Sequence, residues 1–215
     1  MIVLGVDEAG RGPIIGPLVI VGCTIEENKQ EVLKNIGVKD SKLLTHKKRI
    51  ELSKEIKKLV KGYEIIIIPP QEIDQHLETD GTNLNWLEAN KTIEIINILN
   101  PDKAIIDCPS PNLRAYKEYL LERINNKSIN LITEHNAEKN PIVAAASVLA
   151  KVVREEEIET LKKKYGDFGP GYMSNLTTQK YLKENWEKHP EIFRKSWSPY
   201  KNYKNHKNQK KIDEF

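Results

Sequence analysis

Blocks of apolar residues of two lengths alternate along this chain, and punctuation by Gly and Pro separates them. Residues 2–7 and 18–25 are nearly continuous apolar runs, read as two buried strands joined through the Gly and Pro cluster from Gly10 to Pro17. Thr45 is placed to cap a helix running to about Lys61, with Ile50, Leu52, Ile56, Leu59 and Val60 on its apolar side. A third strand over 63–68 stops at Pro69-Pro70. A helix over 83–99 precedes a strand over 103–107, which Pro109 and Pro111 break, and a helix over 113–124 precedes a strand over 129–133. Pro141 suits the first turn of a long helix to about Lys164, in which Ile142, Ala145, Ala146, Leu149, Val152 and Val153 share one face. Beyond Tyr165 the character changes to loops, a helix near 178–188 and a basic tail. Strands alternating with helices predict an α/β layer fold with a central sheet.

Composition narrows the class. The 215 residues suffice for one domain with a tail, and 39% hydrophobic against 30% charged residues describes a globular chain. No apolar stretch approaches the roughly 18 residues of a membrane span. The opening MIVLGVDEAG lacks a basic n-region, so a cytoplasmic protein without a membrane association is expected. Cys23 and Cys108 are too few for a disulfide framework or a thiolate zinc site, and read as small buried hydrophobes. The net charge of +3 is mild, but seven Lys or Arg and no acid fall between Arg194 and Lys211, interleaved with Trp197, Tyr200 and Tyr203. That mixture suits phosphate contact with base or sugar stacking.

Carboxylates supply the candidate chemistry. Asp7 and Glu8 close the first strand, Asp107 closes the strand over 103–107, and Glu138 stands shortly before Pro141. Any one of these alone reads as a solvated strand end. Asp7 and Glu8 do not, because successive strand side chains point to opposite faces and one of the pair must face inward. A bend at Ala9-Gly10 would let both reach a common site. Oxygen ligands without His or Cys favour Mg²⁺ or Mn²⁺ over zinc. Four converging carboxylates can hold two such ions about 3.5 to 4 Å apart, the arrangement that stabilises attacking and leaving oxygens of a phosphodiester displacement. Gly10-Arg11-Gly12 is not a nucleotide loop: Arg11-Gly12 replaces the Lys and Ser or Thr of a P-loop, and Ile15 stands where a dinucleotide fingerprint needs its third Gly. What remains is a permissive backbone beside an Arg suited to phosphate.

Taken together these residues resemble the ribonuclease HII family in its archaeal form, over nearly the whole chain. GVDEAGRGPIIGPLVI, VKDSKLLTHKKR, IIDCPS, EHNAEKNPIVAAASVLAKVVRE, YGDFGPGY and HPEIFRKSW carry the resemblance in order. It implies a ribonuclease H-like mixed central sheet flanked by helices, with a small helical C-terminal region. The domains would be 1–165 catalytic, 166–200 substrate-binding and 201–215 a basic tail. It implies that Asp7, Glu8, Asp107 and Glu138 are the catalytic, metal-binding acids for Mg²⁺ or Mn²⁺. Gly10, Arg11 and Gly12 would read the ribonucleotide 2′-hydroxyl and adjoining phosphate, Tyr172 would stack on the next sugar, and Lys42 would hold a phosphate.

The implied activity is an endoribonuclease acting on RNA-DNA hybrids and beside ribonucleotides embedded in duplex DNA, and a monomer is expected. Ribonuclease HIII resembles the same motifs but carries an N-terminal extension, so a start one residue before the first strand favours the type 2 enzyme. A catalytically silent hybrid-binding module would have lost its carboxylates, and all four positions here are acidic. Residues 209–215 loosely resemble a sliding-clamp peptide without its usual aromatic pair. Two departures stand out. The family usually has Asp where this chain has Glu138, on a loop one residue longer, and its Gly-Tyr-Pro-Ser-Asp-Pro-Lys-Thr run here reads GYMSNLTT, keeping Tyr172 and Ser174.

Overall fold

Five strands, β1 Ile2–Ala9, β2 Leu18–Glu26, β3 Gly62–Ile68, β4 Lys103–Asp107 and β5 Asn130–Glu134, form one sheet in the order β3-β2-β1-β4-β5 in the computed structural model. The structure describes residues 1–38 and 44–212, with side chains as far as residue 205, so Lys42 and residues 213–215 lie outside the described residues. β1 pairs with β2 antiparallel and with β4 parallel, and β4 pairs with β5 parallel, which makes the sheet mixed. Eight helices accompany it among the described residues: α1 Gln30–Asn35, α2 His46–Leu59, α3 Pro70–Glu78, α4 Leu84–Leu99, α5 Leu113–Arg123, α6 Pro141–Tyr165, α7 Leu176–Asn185 and α8 Ser198–Ile212.

The chain divides into two compact units. The first comprises Met1–Ala9, Val19–Ile67 and Leu84–Arg154, and the second comprises Gly10–Leu18, Ile68–Asn83 and Glu155–Phe215. In the first, Val3, Val19, Val21 and Cys23 of the sheet pack with Leu52 and Ile56 of α2 and with Ile142, Ala145 and Leu149 of α6. Gly5 explains how closely β1 and α6 approach. A Cβ on Gly5 would lie 2.5 Å from the backbone carbon of Ile142, so any side chain there forces strand and helix apart. In the second unit, Ile14, Ile15, Ile158, Phe168, Tyr181, Phe193 and Tyr200 form a separate core.

The expected strands and the longer helices are present, with bounds shifted by up to three residues. β1 runs to Ala9, paired with Val19, and the turn begins at Gly10 with φ +85°. Three helices depart from expectation. Pro69-Pro70 ends β3 but also starts α3, because Pro70 occupies its first turn, where the missing N–H costs nothing. α1 is a short helix with only Leu33 buried. Residues 198–212 are helical, and the aromatics in and just before this helix pack within the second unit. Tyr200 is buried, its hydroxyl donating to the Trp186 carbonyl at 3.3 Å, and the Tyr203 hydroxyl donates to the Lys183 carbonyl at 3.1 Å. The Arg194 guanidinium lies 4.9 Å from the Trp197 ring centre. A spacing of three residues puts Tyr200 and Tyr203 on the inner side of α8 and leaves Lys201 and Lys204 exposed. No helix among the described residues is long and apolar enough to cross a membrane.

Candidate active site

The first unit carries all four candidate acids. Asp7 and Glu8 are consecutive on β1, and alternation sends them to opposite faces of the sheet. Asp7 takes the same face as Gly5, toward α6. Gly5 meets the Ile142-Val143 backbone, and two residues along the strand, roughly 6.6 Å, matches one helical turn from Val143 to Ser147. The Ser147 hydroxyl accordingly donates to the Asp7 carboxylate, and the Glu8 N–H donates to Asp7 Oδ1 at 2.7 Å.

Parallel pairing then supplies the third acid. Val6 lies beside Ile106, so the next residue of each strand places Asp7 alongside Asp107. Glu138 arrives on a 3₁₀ turn, Ala137–Lys139, entered through Asn136 at φ +55°. Asp107 holds that turn directly, its Oδ1 accepting the Ala137 N–H at 3.0 Å. Glu134 holds it from β5. The Asn140 side chain donates to Glu134 Oε1 at 2.6 Å, and Lys139 pairs with Glu134 Oε2 at 2.7 Å. Since Asp107 and Glu134 are partners in the β4/β5 register, the turn is fixed by two neighbouring strand ends.

A cation would relieve the electrostatics of this group. Asp7 is only 7% exposed, and its carboxyl is pushed up to about 7, first by burial and then by the charges of Asp107 and Glu138, despite the opposing hydrogen bonds from Ser147 and Glu8. Glu138 Oε2 is closed off from solvent. A buried carboxylate repelled by neighbouring acids suits a hard divalent ion, and the residues present fit Mg²⁺ or Mn²⁺. Even so, among the described residues no three His, Cys, Asp or Glu side chains already converge in metal-binding geometry. On the opposite face Glu8 has different company. Burial first, and the charges of Glu8, Asp107 and Glu88 after it, push the Cys108 thiol up to about 11. Burial raises the Tyr116 phenol too, with Glu88 and Glu8 adding to it. Glu88 of α4 is 1% exposed.

The second unit carries Gly10, Arg11, Gly12 and Tyr172. Gly10 is left-handed, Arg11 is half-buried and Gly12 is exposed. Tyr172 stands beside Gly12, its Cε1 3.8 Å from where a Cβ would sit, so the structure brings the expected loop and the expected stacking ring together. A family model described as Ribonuclease HII matches residues 4–200. The chain belongs to the ribonuclease HII family.

Ribonuclease HII of Pyrococcus furiosus is 44% identical to it over 220 residues, covering 98% of this chain and 96% of that protein. The protein of Pyrococcus abyssi is 42% identical, covering 94% and 90%. Among solved structures, ribonuclease H2 of Pyrococcus horikoshii superposes with a TM-score of 0.88 at 38% identity, covering 96% of this chain and 98% of that one. The ribonuclease HII of Archaeoglobus fulgidus, solved in a complex with PCNA, gives 0.83 at 38% identity, covering 92% and 96%. As a member of this family, the chain is an endonuclease of the ribonuclease H class with a ribonuclease H-like fold.

Sequence reasoning passed over Ser147, Glu134 and Asn140. Ser147 had a signal, as a hydroxyl set in the apolar run VAAASVLA of a buried helix. Glu134 had a weaker one: it ends a strand, but only the β4/β5 register shows that it faces Asp107.

Proposed function

We propose that this chain hydrolyses the RNA strand of RNA-DNA hybrids and cuts on the 5′ side of ribonucleotides embedded in duplex DNA. The products would carry 5′-phosphate and 3′-hydroxyl ends, and the roles would be primer removal and ribonucleotide excision. The observation that supports this most is Asp7, buried among acids at a strand end and followed four residues later by a glycine-flanked arginine in a chain of the ribonuclease HII family.

Asp7, Asp107 and Glu138 are the proposed holders of the divalent ions, Mg²⁺ or Mn²⁺; Glu8, which shares the surroundings of Cys108 with Asp107, would reach the same ions round the strand end. When bound, such ions lower the pKa of an attacking water and neutralise charge on the departing 3′ oxygen. The protein's own contribution is positional. Ser147 and the Glu8 N–H orient the Asp7 carboxylate, and Asp107 with Glu134 holds the turn that presents Glu138. Glu138 has one more methylene than the family's usual Asp, and it stands on a shorter loop; reach and loop length compensate. Gly10, Arg11 and Gly12 would meet the 2′-hydroxyl and the neighbouring phosphate, and Tyr172 beside Gly12 would stack on the next sugar. Lys42, outside the described residues, is proposed as a phosphate contact.

Incubation with a long labelled hybrid in Mg²⁺ or Mn²⁺ tests this reading. The fragments should be joined by a ligase without prior kinase treatment, because they retain 5′-phosphates. Fragments with 5′-hydroxyl and cyclic phosphate ends would overturn it, since they require the 2′-hydroxyl itself as the nucleophile.

A PCNA-type clamp is the proposed partner, supported by the complex described for the Archaeoglobus fulgidus relative. Residues 209–215 are the proposed contact. Their deletion should abolish clamp binding while leaving hybrid cleavage intact, and undiminished clamp binding would dispose of the idea.

A further inference from the structure

Arg194 is fully buried, a position arginine seldom takes without dedicated acceptors. Its guanidinium meets three main-chain carbonyls. Nε donates to Gly16 O at 3.0 Å, Nη1 to Arg11 O at 2.8 Å and Nη2 to Gly10 O at 2.5 Å. All three acceptors belong to one loop, residues 10–16, within the second unit. Backbone pairing holds the far end of that loop: Arg194 N donates to Ile14 O at 2.9 Å, Gly16 N to Ile192 O at 3.0 Å and Ile14 N to Gly171 O at 2.8 Å.

Peptide geometry turns this into a statement about donors. No peptide bond among the described residues is cis, and in a trans peptide the C=O and the following N–H point in opposite directions. Drawing the Gly10 carbonyl onto Arg194 therefore directs the Arg11 N–H away from the buried guanidinium. The Arg11 carbonyl does the same for the Gly12 N–H. Two successive outward N–H groups beside a left-handed Gly10 make a donor pair suited to an anion or a hydroxyl oxygen.

We propose that Arg194 is a positioning residue for ribose recognition: its buried fork sets the Arg11 and Gly12 N–H groups that read the 2′-hydroxyl, and Asp74 holds Arg194 in place. Asp74, on α3 and 7% exposed, accepts the Lys195 N–H at 2.8 Å through Oδ2, and the Ser196 N–H at 2.9 Å and hydroxyl at 2.6 Å through Oδ1. It thus closes the turn directly after Arg194. The inference rests on the proposed reading of the Gly10 to Gly12 loop as the ribose sensor. It adds that discrimination depends on a residue far along the chain that touches no substrate. Lysine cannot replace this arginine, because one ammonium point cannot span three carbonyls spread around a planar fork.

The test is the ratio of dissociation constants for two duplexes, one all DNA and one with a single ribonucleotide, titrated in chelator so that neither is cut. A ratio is indifferent to the fraction of protein folded, so a merely structural role for Arg194 would leave it unchanged. The wild-type chain should prefer the ribonucleotide duplex. Arg194→Lys should bring the ratio close to one, with affinity for all-DNA duplex kept within about twofold and cleavage reduced on the order of 100-fold by loop misplacement. Asp74→Asn, which keeps Arg194 but sets an amide N–H against the Lys195 N–H, should lose part of the preference, and it decides the matter if Arg194→Lys does not fold. A wild-type ratio retained in the folded variants overturns the positioning role alone. A wild-type chain without preference overturns the ribose-sensing reading of the loop, and this inference with it.

Discussion

Asp7→Asn is expected to lower cleavage by at least about 1,000-fold while making the metal-free protein more stable at pH 8. The two effects have one cause. Asp7 is buried beside Asp107 and Glu138, and burial with their repulsion pushes its carboxyl up to about 7. Asparagine keeps the shape and the oxygen that accepts the Glu8 N–H, so the fold has no reason to change. It removes the charge that a divalent ion would neutralise, and with it the stabilisation of charge developing at the reacting phosphate, where single electrostatic groups contribute about 3 to 4 kcal/mol or more. Thermal unfolding in chelator at pH 8, set beside hybrid cleavage, checks both halves. A variant that is inactive but also less stable would show Asp7 to be structural.

The second expectation concerns pH and metal together. Asp7 has its ordinary value of 3.8 in the unfolded chain and about 7 in the folded one, so the folded state binds the proton more tightly. Well below pH 3.8 both states are protonated and the site costs nothing. As pH rises toward 7 the unfolded chain releases its proton first, and stability falls by up to about 4 kcal/mol, because one pKa unit corresponds to about 1.4 kcal/mol. A bound divalent ion reverses this by favouring the carboxylate. Mg²⁺ or Mn²⁺ should therefore raise the melting temperature strongly at pH 8 and scarcely at pH 5, and Asp7→Asn should flatten that difference. A metal-induced shift that is equal at both pH values would contradict the account.

Both expectations depend on features that the sequence exposes unequally. Asp7 and Glu8 at the end of an apolar run already required one acid to face inward, and the structure places Asp7 there. Asp107 was legible because its strand is short and bounded by prolines. Glu138 was legible through the motif before Pro141, but not the means of its support. That depends on Glu134 lying beside Asp107 across two strands, and register between strands distant in sequence leaves no local pattern. The long helix over 141–165 was evident from its apolar face, whereas the approach that lets Ser147 reach Asp7 depends on Gly5, whose missing side chain matters only against Ile142. The packing of Trp197, Tyr200 and Tyr203 was not legible for a related reason: aromatic residues among lysines fit a nucleic-acid platform and an amphipathic helix equally well. Arg194 lay within the same basic segment, and its burial against the carbonyls of a loop some 180 residues earlier could not be inferred from neighbours in sequence.

The most direct test of the central claim is a cut-site map on end-labelled duplex DNA that contains one ribonucleotide, with an all-DNA duplex beside it. Reactions run in Mg²⁺, in Mn²⁺ and in chelator, with wild type and Asp7→Asn. The account predicts one metal-dependent cut on the 5′ side of the ribonucleotide, none in all-DNA duplex, and none above background with Asp7→Asn. Cleavage that persists in chelator or in Asp7→Asn, or that falls equally on all-DNA duplex, would contradict it.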